Sequence, residues 1–175
     1  EAYNSTDNMT DSYMRSVILA EIADYLFIRN NKDAALAYMN EAVSFAYEIE
    51  DSYYRYKAFS KIAKIYIVNG YSDKASEILS GDCTTALNET SDSYYRALEL
   101  ADMAGIYYVA GDKENAYAYL VECENSVSQI DDSMLKILVN NEIFWVYYIF
   151  EDEAKALEIN DNAINFAGTV KTLAM

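Results

Sequence analysis

Residues 92–116 read DSYYRALELADMAGIYYVAGDKENA, and this stretch decides the fold. Between Ser93 and Ala110, apolar residues fall at Tyr94, Ala97, Leu98, Ala101, Ala104, Ile106, Tyr107 and Tyr108, close to a 3.6-residue period. Asp92 or Ser93 is a good helix N-cap. Gly111-Asp112 stops the helix, since glycine is the usual residue in a left-handed cap. A second periodic run follows from about Lys113 to Gln129, with Ala116, Tyr119, Leu120, Cys123 and Val127 on its inward side. One helical hairpin is therefore encoded in about 40 residues.

The same pattern occurs four times. Asp11-Ser12-Tyr13-Met14-Arg15, Asp51-Ser52-Tyr53-Tyr54-Arg55, Asp92-Ser93-Tyr94-Tyr95-Arg96 and Asp132-Ser133-Met134-Leu135-Lys136 start 40, 41 and 40 residues apart. The implied repeats are 11–50, 51–91, 92–131 and 132–171, after a polar lead-in at 1–10. Helices are expected at about 12–29 and 33–49, 52–69 and 73–89, 93–110 and 113–129, and 133–150 and 152–168. Small residues keep their phase. Twelve positions after the leading Asp stand Ala23, Ala63 and Ala104, and twenty-four after it stand Ala35, Ala75, Ala116 and Ala156. Facing small residues let two helix backbones approach closely. The turn position holds Asn30, Gly70, Gly111 and Glu151.

This phase resembles the tetratricopeptide repeat (TPR). The likeness rests on Ile62-Ala63, Tyr66, Gly70 and Ala75 in repeat two, and on Met103-Ala104, Tyr107, Gly111 and Ala116 in repeat three. The resemblance implies an all-α, right-handed superhelical solenoid of four antiparallel helix pairs. The chain departs from the family in its longer period, since about 34 residues is usual, and in lacking the family's proline after the second helix. Both departures imply lengthened helices. Repeat four deviates most, with Phe144 at the first small position. Its Asn160, where the others carry Met39, Leu79 and Leu120, suits a terminal repeat with a wet outer side. Armadillo or HEAT-like units share the period but lack this Ala/Tyr/Gly/Ala phase; they are the alternative fold.

Composition narrows the chemistry. The 175 residues include no His, no Pro, 5 Gly, 18 Tyr and 2 Cys, with 29 acidic against 13 basic side chains and a net charge of −16. Without histidine there is no Ser-His-Asp triad, Cys-His pair or His-ligated metal. The negative charge argues against nucleic acid or an anionic membrane as partner, because both reward a basic surface. At 53% hydrophobic the chain is not disordered. Scarce Gly and absent Pro disfavour strand-and-turn folds. The longest apolar run, Ile143 to Phe150, is too short to span a bilayer. The first ten residues do not read as a signal peptide. The sequons at Asn4, Asn8 and Asn88 are read as chance occurrences. A cytoplasmic setting is expected, with an exported or lipid-anchored processed form as the alternative. No catalytic group, metal site or cofactor motif is read, and Gly111-Asp112-Lys113 lacks the spacing of a phosphate loop.

What the resemblance implies for function is a concave groove lined by the first helix of each repeat. The groove candidates are Phe27, Lys57, Lys64, Ile67, Tyr108, Asn141, Trp145 and Tyr148. Such a surface suits an amphipathic helix or extended peptide, so the expected role is a non-enzymatic protein- or peptide-binding scaffold of unknown partner. The alternative is an apolar small ligand or lipid held in an aromatic-lined groove. Lys57, Lys61 and Lys64 form a basic stripe, read either as a carboxylate clamp or as the partner of Glu21, Asp24 and Asp102. Arg15, Arg55, Arg96 and Lys136 recur four residues after each leading Asp, a local helix-pairing spacing. Cys83 and Cys123, at nearly equivalent repeat positions, read as small inward residues.

Overall fold

The computed structural model describes residues 11–173. They form eight helices and, among the described residues, no strand. These are α1 (Ser12–Ile28), α2 (Lys32–Tyr47), α3 (Ser52–Val68), α4 (residues 72–89), α5 (Ser93–Val109), α6 (Lys113–Val127), α7 (Ser133–Ile149) and α8 (Glu153–Leu173). The α8 helix runs past the end expected from its periodicity. The lead-in at 1–10, with Asn4 and Asn8, lies outside the described residues.

Local chemistry sets the boundaries, and the same devices recur in each repeat. Asp11, Asp51, Asp92 and Asp132 sit in extended backbone, and their carboxylates accept from the amides of Tyr13 (2.9 Å), Tyr54 (3.0 Å), Tyr94 (2.9 Å) and Met134 (2.7 Å). Each cap satisfies an amide the first turn would otherwise leave orphaned. The first helices end in one geometry four times over. Asn30, Gly70, Gly111 and Glu151 all take positive φ, at 58°, 81°, 88° and 60°. Their amides donate to the carbonyls of Phe27, Ile67, Tyr108 and Tyr148. The next amides, of Asn31, Tyr71, Asp112 and Asp152, donate to Leu26, Tyr66, Tyr107 and Tyr147. That double bond pattern is the Schellman motif. The carbonyls of Asn31, Tyr71, Asp112 and Asp152 then accept from Ala35, Ala75, Ala116 and Ala156, which opens the second helix.

The chain packs as two compact units, Glu1–Glu89 and Thr90–Met175. Their boundary falls within two residues of the border between repeats two and three. In the first unit α1 packs along α2, and α3 lies against both and against α4. Leu19, Ala23, Ala35 and Met39 are fully buried between α1 and its neighbours, and the Ser16 hydroxyl donates 2.8 Å to the Ala42 carbonyl. In the second unit α5 packs along α6, α7 lies against both, and α8 packs along α7. Here the Cys123 thiol donates 3.1 Å to the Ala97 carbonyl. Ser16 and Ala97 both stand five residues after their leading Asp, and Ala42 and Cys123 both stand thirty-one after it. The same cross-hairpin bond is thus made in both units with donor and acceptor exchanged. An early residue of one helix meeting a late residue of the next makes each pair antiparallel. Leu100, Met103 and Leu120 are fully buried, and removing side chains of this size from water stabilises by about 1.5–3 kcal/mol each.

The 41-residue spacing of repeat two has a structural cause. Its second helix is α-helical over Ser72–Ile78, π-helical over Leu79–Cys83 and α-helical again over Thr84–Glu89. A π segment accommodates one extra residue without ending the helix. Before it, Ala75 and Leu79 are buried at the positions of Ala35 and Met39. After it, buried Cys83, Leu87 and Thr90 stand one position later than buried Ala42, Ala46 and Ile49 in repeat one. The bulge takes up the additional residue and restores the inward face to register.

Candidate functional site

The eight residues singled out from the sequence divide four and four between the compact units, and each unit is considered by itself. In the first unit Phe27 is only 8% exposed, with its ring 5.3 Å from Tyr71, so it is chiefly a packing residue. Lys57 and Ile67 are half-buried and Lys64 is exposed. Lys61, between the two candidate lysines, pairs with Glu21 at 3.0 Å, joining α3 to α1. Both side chains are well solvated, and such a pair contributes little stability. Beside it the Asn69 amide donates to Asp24 at 3.1 Å. This face of α3 is thus engaged with the acidic face of α1.

The recurring cations also have partners on the second helix of their own hairpin. Arg55 donates to the Glu89 carboxylate, and to the carbonyls of Ile49 and Glu50 in the preceding loop. Arg96 donates to Glu122 at 2.9 Å. Arg15 lies 5.1 Å over the Phe45 ring and Lys136 lies 5.5 Å over Phe166. These contacts tie hairpins together. Cys83 and Cys123 are buried free thiols. Burial pushes the Cys123 thiol far above its ordinary range, and the neighbouring Glu124 adds to the effect. A thiolate, the reactive form, is therefore suppressed there. Tyr147 behaves alike: burial first, then its hydrogen bond to the Glu124 carboxylate, holds the phenol protonated.

Among the described residues, the candidate surface that stays open along a whole helix lies in the second unit. Tyr108 is half-buried, its ring stacked on Phe150 with centroids 4.2 Å apart. Tyr117 of α6 meets the same Phe150 edge-on at 5.0 Å. Two tyrosines, sixteen and twenty-five residues after Asp92, thus form a cradle for a ring from the next helix. Asn141, Trp145 and Tyr148 are exposed on α7, the latter two at 50% and 56%. Met134 and Leu138 continue the line toward the N-terminal end of the helix, at 54% and 48% exposed. Spacings of four, three, four and three place the five on one helical face. Phe144 brackets the aromatic end, its ring 5.2 Å from Trp145.

Repeat equivalence shows how unusual this is. The matching positions of α5 are Tyr94, Leu98, Ala101, Gly105 and Tyr108, and none is exposed. Those of α1 are Tyr13, Val17, Ala20, Asp24 and Phe27, and none is exposed either. In α7 all five are exposed. Sequence reasoning placed Leu138, Asn141, Trp145 and Tyr148 on this face but omitted Met134 and, on α8, Leu157 (63% exposed). It also missed the Tyr108–Phe150–Tyr117 cradle. Comparing apolar residues repeat by repeat would have found Leu157, which matches Tyr117.

Among the described residues no group of three His, Cys, Asp or Glu side chains is arranged to hold a metal ion. No helix among them is long and apolar enough to cross a membrane. No protein-family model matches the chain, and no curated protein matches it. Among solved structures it is similar to Ton1535 from Thermococcus onnurineus NA1, with a TM-score of 0.65 at 13% sequence identity. The likeness covers 92% of this chain and 52% of the other, so the chain spans about half the length of the structure it matches. At this identity the shared property is the all-helical fold.

Proposed function

We propose that the chain is a TPR-like array of helical hairpins that works as a non-enzymatic binding scaffold for a polypeptide partner. The observation that supports this reading is the α7 face. Asn141, Trp145 and Tyr148 stand exposed, whereas none of the equivalent residues of α1 (Ala20, Asp24, Phe27) or α5 (Ala101, Gly105, Tyr108) is exposed. A row of apolar and aromatic side chains in water carries a free-energy cost that a partner relieves, at roughly 25 cal/mol per Å² of apolar surface covered. Exposed aromatic side chains are also the residue type that dominates binding energy at interfaces.

The test uses immobilised chain and a candidate partner. Trp145→Ala and Tyr148→Ala together are expected to reduce partner capture at least tenfold while the helical circular dichroism is unchanged. Undiminished capture by the double variant would overturn the reading. A small-molecule adduct in native mass spectra, lost in the same variant, would move the assignment to an apolar ligand.

A further inference from the structure

The internal repeat supplies a template for what covers the α7 face, and from it we infer that this face seats a basic amphipathic helix of another polypeptide. The inference rests on the scaffold reading above and names the partner's class. In the second compact unit the face of α5 is covered by a helix, α7, and that helix delivers Phe150 into the cradle of Tyr108 and Tyr117. Eighteen residues separate Phe150 from its leading Asp. The equivalent cradle one repeat later is Tyr148 with Leu157, both more than half exposed. A helix laid on α7 as α7 lies on α5 therefore brings a side chain near its C-terminal end to that cradle, and the cradle selects an aromatic or large apolar group.

Charge then discriminates between occupants. Glu142 is exposed near the middle of the α7 face, ten residues after Asp132. The equivalent residue of α1 is Glu21, and the helix covering α1 meets it with Lys61, also at its tenth position, at 3.0 Å. The same arrangement on α7 calls for a lysine or arginine from the incoming helix. A second copy of this chain fits poorly. Two α7 helices crossing antiparallel about a two-fold axis would bring their Glu142 carboxylates together, and each chain carries a net charge of −16. That charge instead steers a basic segment toward the protein.

Trp145 is the single tryptophan of the chain and stands half exposed in this face, so its fluorescence reports directly on the seat. The probe is a synthetic peptide of residues 51–71 carrying Asn69→Phe. It has four cations and one carboxylate, presents Lys61 at the tenth position and places the new ring at the eighteenth. Titrated into the intact protein at low salt, it is expected to shift Trp145 emission saturably to the blue. Lys61→Glu in the peptide should weaken binding at least tenfold, and Glu142→Lys in the protein should restore the Lys61→Glu peptide. No shift with the Lys61 peptide, or equal affinity for both peptides, overturns the inference. A concentration-dependent blue shift without peptide, with a doubled mass by light scattering, overturns it in favour of self-association. The scaffold reading is separable. If a partner is captured normally by Glu142→Lys but lost on Trp145→Ala/Tyr148→Ala, the face binds and only the basic-helix assignment fails.

Discussion

The two hairpins of the second compact unit, α5–α6 and α7–α8, share a scaffold and differ in their outer face. Both first helices open on an aspartate cap, both end in a Schellman turn, and both bury an alanine at the start of the second helix. Yet the face of α5 with Leu98 and Tyr108 is half-buried, while that of α7 with Leu138, Trp145 and Tyr148 is open. The scaffold is built by interactions within a hairpin. The exposure of its outer face is decided by whatever packs next to it. Identical local instructions therefore yield a core surface in one case and a candidate binding surface in the other.

Three pairs of substitutions bear on this comparison, from the largest expected effect to the smallest. Ala104→Leu forces a branched side chain into a fully buried position of α5. It is expected to destabilise by about 1–3 kcal/mol through overpacking, read as a lower chemical-denaturation midpoint. The equivalent residue of α7 is already Phe144, half exposed, so Phe144→Leu should change stability much less. A large loss from Phe144→Leu would break the comparison. Asp92→Ala removes a carboxylate that accepts from two amides. It should cost about 1 kcal/mol, and Asp132→Ala should cost the same, since its cap is equivalent.

The turn residues give a pair of opposite sign. Gly111 takes φ 88° with nothing near an added Cβ, so Gly111→Ala is expected to cost about 1 kcal/mol from backbone conformation alone. Glu151 occupies the same turn at φ 60°, so Glu151→Gly should stabilise by a similar, smaller amount. Thermal melts showing both changes with the same sign would contradict the equivalence of the two turns. The smallest effect concerns repeat two. Deleting Gly81, which is exposed and within the π segment, should turn residues 72–89 into a regular α-helix. Cys83 and Leu87 would keep their inward register, with stability near that of the parent. A collapse of the melting transition would show that the bulge is not where the extra residue resides.

Much of the fold was legible because it depends on short-range chemistry. An aspartate before an apolar-periodic run, a residue tolerant of positive φ at the turn, and alanines at facing heights each act within a few residues. Even Glu151, an unfavourable residue for that turn, was assigned correctly from its place in the repeat. The location of the extra residue in repeat two was not legible. Its count shows in the 41-residue spacing, but Leu79–Cys83 carries no composition that separates a π turn from a longer loop. The site was legible only in part. Phe27 and Tyr108 match Trp145 and Tyr148 in apolar character, and only their partners Tyr71 and Phe150 turn the former two into packing residues. A burial difference that arises between repeats leaves no trace within one.

The π segment of α4 also bears on how such a chain can change over time. Insertion of a residue into a helix normally rotates everything after it by about 100°, turning a buried face toward water. Here the extra residue is confined to a single widened turn, and the next leading aspartate, Asp92, begins its helix as the others do. The second helix is thus a site where repeat length can drift by one residue and be corrected within the same repeat, leaving the downstream hairpins to be read in frame.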